Sequence, residues 1–169
     1  TTLSGVWASG PNDAWVSGDG AVLHWTGSSF VSGGNFSGRT MGRTVGTGVN
    51  NVYVTGRYGA IDRWNGLAWT TIPASDTGNV DAIAANAPSN VWAVGTNGTI
   101  VRFDGSGWVR ETKGVAGDYV NFRSGWAASA TDAWVTSGRD FMVASEFMFH
   151  WDGLQWQSVS LPDPSKRVY

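Results

Sequence analysis

At 169 residues the chain can hold one domain with a sizeable core, and its net charge of −2 leaves no basic footprint for nucleic acid or anionic lipid. Cysteine is absent, which excludes disulfides and thiolate chemistry, and no apolar run approaches the roughly 18–20 residues that would span a bilayer. With 24 Gly and 11 Trp against 14% charged residues, the composition favours short strands and tight turns over helix or disorder.

In chain order the first unit reads as four strands: Val6-Trp7-Ala8, then Ala14 to Ser17, then Ala21 to Trp25, and a fourth from Phe30. Turns rich in Gly, Asn and Asp separate them, which is hairpin chemistry rather than helix capping. The unit then recurs three times. Its turn residue is Asp13, Asn51, Asn90 and Asp132, at steps of 38, 39 and 42 residues. The second strand carries Trp15, Tyr53, Trp92 and Trp134, and the third ends at Trp25, Trp64, Phe103 and Trp151. Gly27, Gly66, Gly105 and Gly153 follow, and Phe30, Trp69, Trp108 and Trp156 open the fourth strand. No helix is expected anywhere.

A four-stranded antiparallel unit of about 40 residues is the signature of a β-propeller blade. The expected fold is therefore all-β: one domain, 1–169, of four four-stranded blades at approximately 3–33, 41–72, 80–111 and 122–160. One sheet cannot bury both of its faces, so blades stack and large flat side chains fill the gaps. All 11 Trp fall on repeat landmarks, which assigns them to packing before ligand contact.

The run from Ser89 through Val91-Trp92-Ala93-Val94-Gly95 to Gly98-Thr99-Ile100-Val101-Arg102-Phe103-Asp104-Gly105 and Trp108 resembles the repeat of secreted bacterial β-propeller proteins of the kelch and BNR type. It is also reminiscent of bacterial propeller lectins with short Trp-rich blades. The resemblance covers essentially the whole chain and implies an extracellular or cell-surface location with carbohydrate as ligand. It departs from the sialidase-type Asp-box at Thr96-Asn97-Gly98-Thr99, which lacks the aspartate, and Trp151-Asp152 has no upstream Gly-His partner.

The residues Thr1-Thr2-Leu3-Ser4 carry no basic or apolar signal-peptide pattern and stand just before a first strand, and Arg167-Val168-Tyr169 falls where a fifth blade is expected to begin. A sealed ring is then expected to need further blades or self-association.

Catalytic chemistry finds little support, and no enzyme, metal or cofactor is expected. The turn residues Asp13, Asn51, Asn90 and Asp132 read as caps of their own backbone. His24 and His150 share a repeat position that Arg63 and Arg102 fill elsewhere, and read as solvated strand positions. Asp62, Asp104 and Asp152 read as surface. Arg39, Arg43, Arg57, Arg110, Arg123 and Arg139 fall in unrelated loops, so no carboxylate-gripping arginine triad is assembled. No zinc-protease motif, nucleophile elbow or phosphate loop is present.

Variation between the copies is more informative. The fourth copy inserts about six residues between its second and third strands, within 138–147, and the connections between copies differ in length. Both kinds of loop lie on one face of a propeller, where binding is commonly built. The candidate ligand-binding residues are Arg139, Asp140, Phe141 and Glu146 with Asn35, Asp76 and Tyr119. A non-catalytic binding module for carbohydrate is the leading expectation; the alternative is a protein-interaction scaffold.

Overall fold

The computed structural model describes residues 2–73, 78–112, 114, 120–138 and 147–160. Copy one contributes β1 (Leu3–Gly10) and β2 (Asp13–Trp25), and β3 (Phe30–Gly48) runs from it into copy two, which adds β4 (Asn51–Gly56), β5 (Ala60–Trp64) and β6 (Trp69–Pro73). Copy three holds β7 (Val80–Ala87), β8 (Asn90–Gly95), β9 (Ile100–Phe103) and β10 (Trp108–Arg110). Copy four holds β11 (Phe122–Ser129), β12 (Asp132–Ser137), β13 (Met148–Trp151) and β14 (Trp156–Val159). Among the described residues the one helical element is a 3-10 turn at Arg57–Gly59.

These strands form three antiparallel sheets of six, four and four strands, rather than the four sheets of four that the repeats predict. The reason lies in the connection between the first two copies. It stays extended and hydrogen-bonded, so β3 pairs with β2 from Phe30 to Thr40 and with β4 from Met41 onward. No loop interrupts it, and copies one and two share a sheet. Within that sheet β2 doubles back on itself. A straight strand would hold Trp15 and His24 about 30 Å apart, yet their rings stack at 4.1 Å. The reversal falls at Gly18-Asp19-Gly20, where Gly20 has φ 71°, open to glycine without steric cost.

Three cores lie between successive copies. Trp15 and Val22 from β2 share the first with Val52 and Val54 from β4. Tyr53 and Ile61 of copy two share the second with Val91, Val101 and Phe103 of copy three. Trp92 and Ile100 share the third with Ala133, Phe149, Trp151 and Trp156 of copy four. Strands covered on both faces read as unbroken apolar runs, and every residue of β4 and β8 is buried. In β12, buried and half-buried residues alternate strictly. Trp7 lies flat against Gly46, where a Cβ would come within 2.7 Å of the indole ring.

Candidate functional site

The first strands of successive copies stand side by side, β1 by β3, β3 by β7 and β7 by β11. Their leading ends meet the turns between second and third strands. Thr96 N–H donates to the Asn79 carbonyl at 3.0 Å and Tyr58 N–H to Asn79 Oδ1 at 3.0 Å. In the next copy Asn97 N–H donates to Asn121 Oδ1 at 3.0 Å and Gly138 N–H to the Asn121 carbonyl at 3.1 Å. Turns and connections therefore share one face, as the repeat pattern predicts.

A cavity of about 720 Å³ opens there. Its walls are the leading ends of three first strands, around Leu3, Met41 and Val80, together with the turn residues Arg57 and Tyr58. A second space of about 560 Å³ adjoins it through Leu3, Ser4 and Arg43. A third, of about 230 Å³, is lined by Arg39, Arg57 and Tyr58. Three arginines that look unrelated in sequence are thus gathered on one face.

Their charges are not equivalent. Arg39 grips Asp62 with two bonds, at 3.1 and 2.6 Å, and Thr71 Oγ1 donates to the same carboxylate at 2.6 Å. Asp62 is 1% exposed, so it is a buried structural anion, not the surface residue expected. Asp81, on the cavity wall, is neutralised by Arg123 at 2.7 Å. Arg43 donates to the Ser4 carbonyl at 3.1 Å but meets no carboxylate among the described residues. Arg57 is exposed and makes no ion pair among them. Among the described residues the cavity wall therefore carries an excess of positive charge, which suits an anionic group.

Tyr58 stands 86% exposed beside it with φ 61° and ψ 33°. Tyr58-Gly59 and Asn97-Gly98 both place two consecutive residues at positive φ, the geometry of a type I′ hairpin turn. Asn suits that first position. A tyrosine there costs about 1–2 kcal/mol, and backbone strain of this kind gathers at functional sites.

Of the sequence-predicted site residues, Asn35 is described: it is exposed and accepts from the Ser37 N–H at 3.2 Å. Arg139, Asp140, Phe141, Glu146, Asp76 and Tyr119 lie outside the described residues. Arg57 and Tyr58 were legible as members of the same face, since their turn is the copy-two equivalent of the insertion. Charge and exposure, which single them out, depend on distant neighbours.

The opposite face holds the Asp/Asn turns, and these are not simple backbone caps. Three of the four reach across to a third-strand side chain: Asp13 meets His24 Nε2 at 2.6 Å, Asp132 meets His150 Nε2 at 2.9 Å, and Asn51 Oδ1 accepts from Arg63 Nε at 3.0 Å, whereas Asn90 Nδ2 donates to Asn86 Oδ1 at 2.6 Å. Aspartate pairs with histidine in copies one and four and asparagine with arginine in copy two, so these three copies tie the second strand to the third. The histidines are half-buried and stacked on Trp15 and Trp134, rather than solvated. Asp104 and Asp152 are turn caps. Ser106 Oγ, with the Ser106 and Gly107 N–H groups, holds the Asp104 carboxyl at about 2. The Gln155 and Leu154 N–H groups lower that of Asp152. Among the described residues no group of three His, Asp or Glu is placed to hold a metal ion.

No protein-family model matches the sequence, and no curated protein matches it. Solved structures do. YCF48 from Cyanidioschyzon merolae is similar with a TM-score of 0.68 at 15% identity, over 96% of this chain and 58% of that one. YCF48 bound to D1 peptide gives 0.63 at 15% identity over 93% and 54%. The SapL1 lectin in complex with alpha methyl fucoside gives 0.59 at 14% identity over 91% and 62%. These are β-propeller proteins, and likeness at such low identity shows the fold: this chain folds as a β-propeller. It spans a little over half the length of the propellers it matches.

Proposed function

We propose that the chain is a non-catalytic β-propeller binding module with its four sequence copies as four blades, and that it takes its ligand over the cavity flanked by Arg43, Arg57 and Tyr58. The blade count is supported by the reversal inside β2 and by the three cores between four copies. The observation that carries the binding reading is Tyr58, a strained and exposed aromatic ring beside an exposed arginine with no ion-pair partner among the described residues. An acidic carbohydrate suits that pair, since a sugar ring stacks on tyrosine while its carboxylate takes a guanidinium. By the repeat register alone, the 138–147 insertion, with Arg139, Asp140, Phe141 and Glu146, takes the turn position that Arg57 and Tyr58 hold in copy two, and with Asn35, Asp76 and Tyr119 it is proposed to contribute to the same binding surface. With carbohydrate as ligand, an extracellular or cell-surface location is part of the same proposal.

A peptide carboxylate is the second reading, favoured by the YCF48 structure with D1 peptide. Glycan and peptide arrays probed with the intact chain separate the two, followed by calorimetry on the strongest hit. Arg57→Ala and Tyr58→Ala are each expected to weaken binding about tenfold or more, the loss of a central contact, with the fold unchanged. Binding untouched by both but lost on deleting 139–146 would move the site to the insertion. Binding untouched by all three, but lost in Asp13→Ala, would put it on the opposite face.

A further inference from the structure

The internal boundaries between copies follow one plan, complete at the first and third and modified at the second, where the Arg63 guanidinium faces both Tyr53 and Phe103. A second-strand aromatic of one copy is covered by the paired aromatics that end the third strand and open the fourth strand of the next. Trp15 is covered by Trp64 at 5.5 Å and Trp69 at 5.4 Å, and Trp92 by Trp151 at 5.5 Å and Trp156 at 5.3 Å. Between them Tyr53 meets Trp108 edge-on at 6.5 Å. All three covered rings are at most 2% exposed.

The outermost copies each carry half of this arrangement. In copy four Trp134 holds the register of Trp15: it pairs with Trp126 as Trp15 pairs with Trp7, and stacks on His150 at 4.2 Å as Trp15 stacks on His24 at 4.1 Å. Among the described residues no aromatic pair lies over it. Trp134 is only half-buried, and its neighbour Trp126 is 59% exposed. In copy one, Trp25 and Phe30 form the covering pair, joined in register like Trp64 with Trp69 and 5.2 Å apart. No second-strand aromatic lies beneath them among the described residues, and Phe30 is 55% exposed.

We infer that these two faces are complementary halves of one interface, and that a second copy of this chain docks head to tail, its Trp25 and Phe30 covering Trp134. The occupant is a second copy because this one sequence supplies both halves in the register of its own internal boundaries. An exposed apolar face of this kind marks an association surface. A contact between two different faces either closes or propagates. Closure is the expected outcome here, because a two-copy ring covers both faces of each copy, whereas an open array leaves one of each exposed. The inference concerns the blade faces and stands or falls apart from the ligand site.

Sedimentation equilibrium of the intact chain across the micromolar range tests it. The expected mass is twice the 18.0 kDa of one chain. Trp134→Glu and Phe30→Glu, each confirmed as folded by circular dichroism, should each sediment as monomers. Mixed in equal amounts they should recover the doubled mass, because one unaltered Trp134 then meets one unaltered Phe30. A wild-type chain that stays at 18.0 kDa overturns the inference. A dimer indifferent to both substitutions, or a mixture that stays monomeric, also overturns it.

Discussion

Trp92 and Trp134 occupy the same landmark in adjacent copies, two residues after an Asn or Asp turn on the second strand. Trp92 is 2% exposed between two sheets, within a strand buried at every residue. Trp134 sits in a strand whose burial alternates, because a sheet covers one side only. Local sequence set the strand, the register and the outward direction of the ring in both. What differs is the neighbour, and with it the energy attached to the same residue.

The sharpest test of that comparison is a pair of truncations read by urea denaturation. Trp92→Ala is expected to cost about 3–5 kcal/mol, the range for a buried aromatic. Trp134→Ala in the monomer-forming Phe30→Glu background should cost about 1 kcal/mol, part of the 1.5–3 kcal/mol of a fully buried apolar side chain. Equal costs would break the comparison and show Trp134 to be covered within its own chain.

A smaller effect is expected at the turns, where Tyr58 and Asn97 share a left-handed position in copies two and three. Tyr58→Asn should stabilise the fold by about 1 kcal/mol, measured by the denaturation midpoint, while weakening ligand binding. Stability that falls would mean the ring makes contacts its 86% exposure denies.

The smallest effect separates Asp104 from Asn65, which caps the corresponding turn of copy two without a charge. Asp104 titrates at about 2, well below 3.8, because Ser106 and Gly107 donate to its charged form. A depressed carboxylate stabilises the fold above pH 3.8, and that contribution is lost as pH falls towards 2. Carboxyl carbon NMR should show this low midpoint and its rise in Ser106→Ala, whereas a midpoint unmoved by the substitution would deny the Ser106 hydroxyl its role.

The repeat made much of the fold legible before any coordinates. Turn positions, the order of strands within copies two to four and the shared face of turns and connections follow from glycine, Asn/Asp and aromatic spacing, because these are local rules of backbone conformation and side-chain alternation. The sheet count was not legible. Whether the chain from Phe30 to Gly48 breaks into a loop or stays extended depends on the pairing of Asp19 with Thr40, a contact across 21 residues. The fates of Asp62 and of the arginines were equally hidden. Asp62 is buried because Arg39 comes back to it from the preceding connection, while Arg43 and Arg57 converge on one cavity from separate elements. By itself the sequence determined which residues sit at each repeat position. Only the tertiary structure decided which of those positions are covered, paired or left open, because burial and charge pairing are set by what packs against a residue and not by the residue itself.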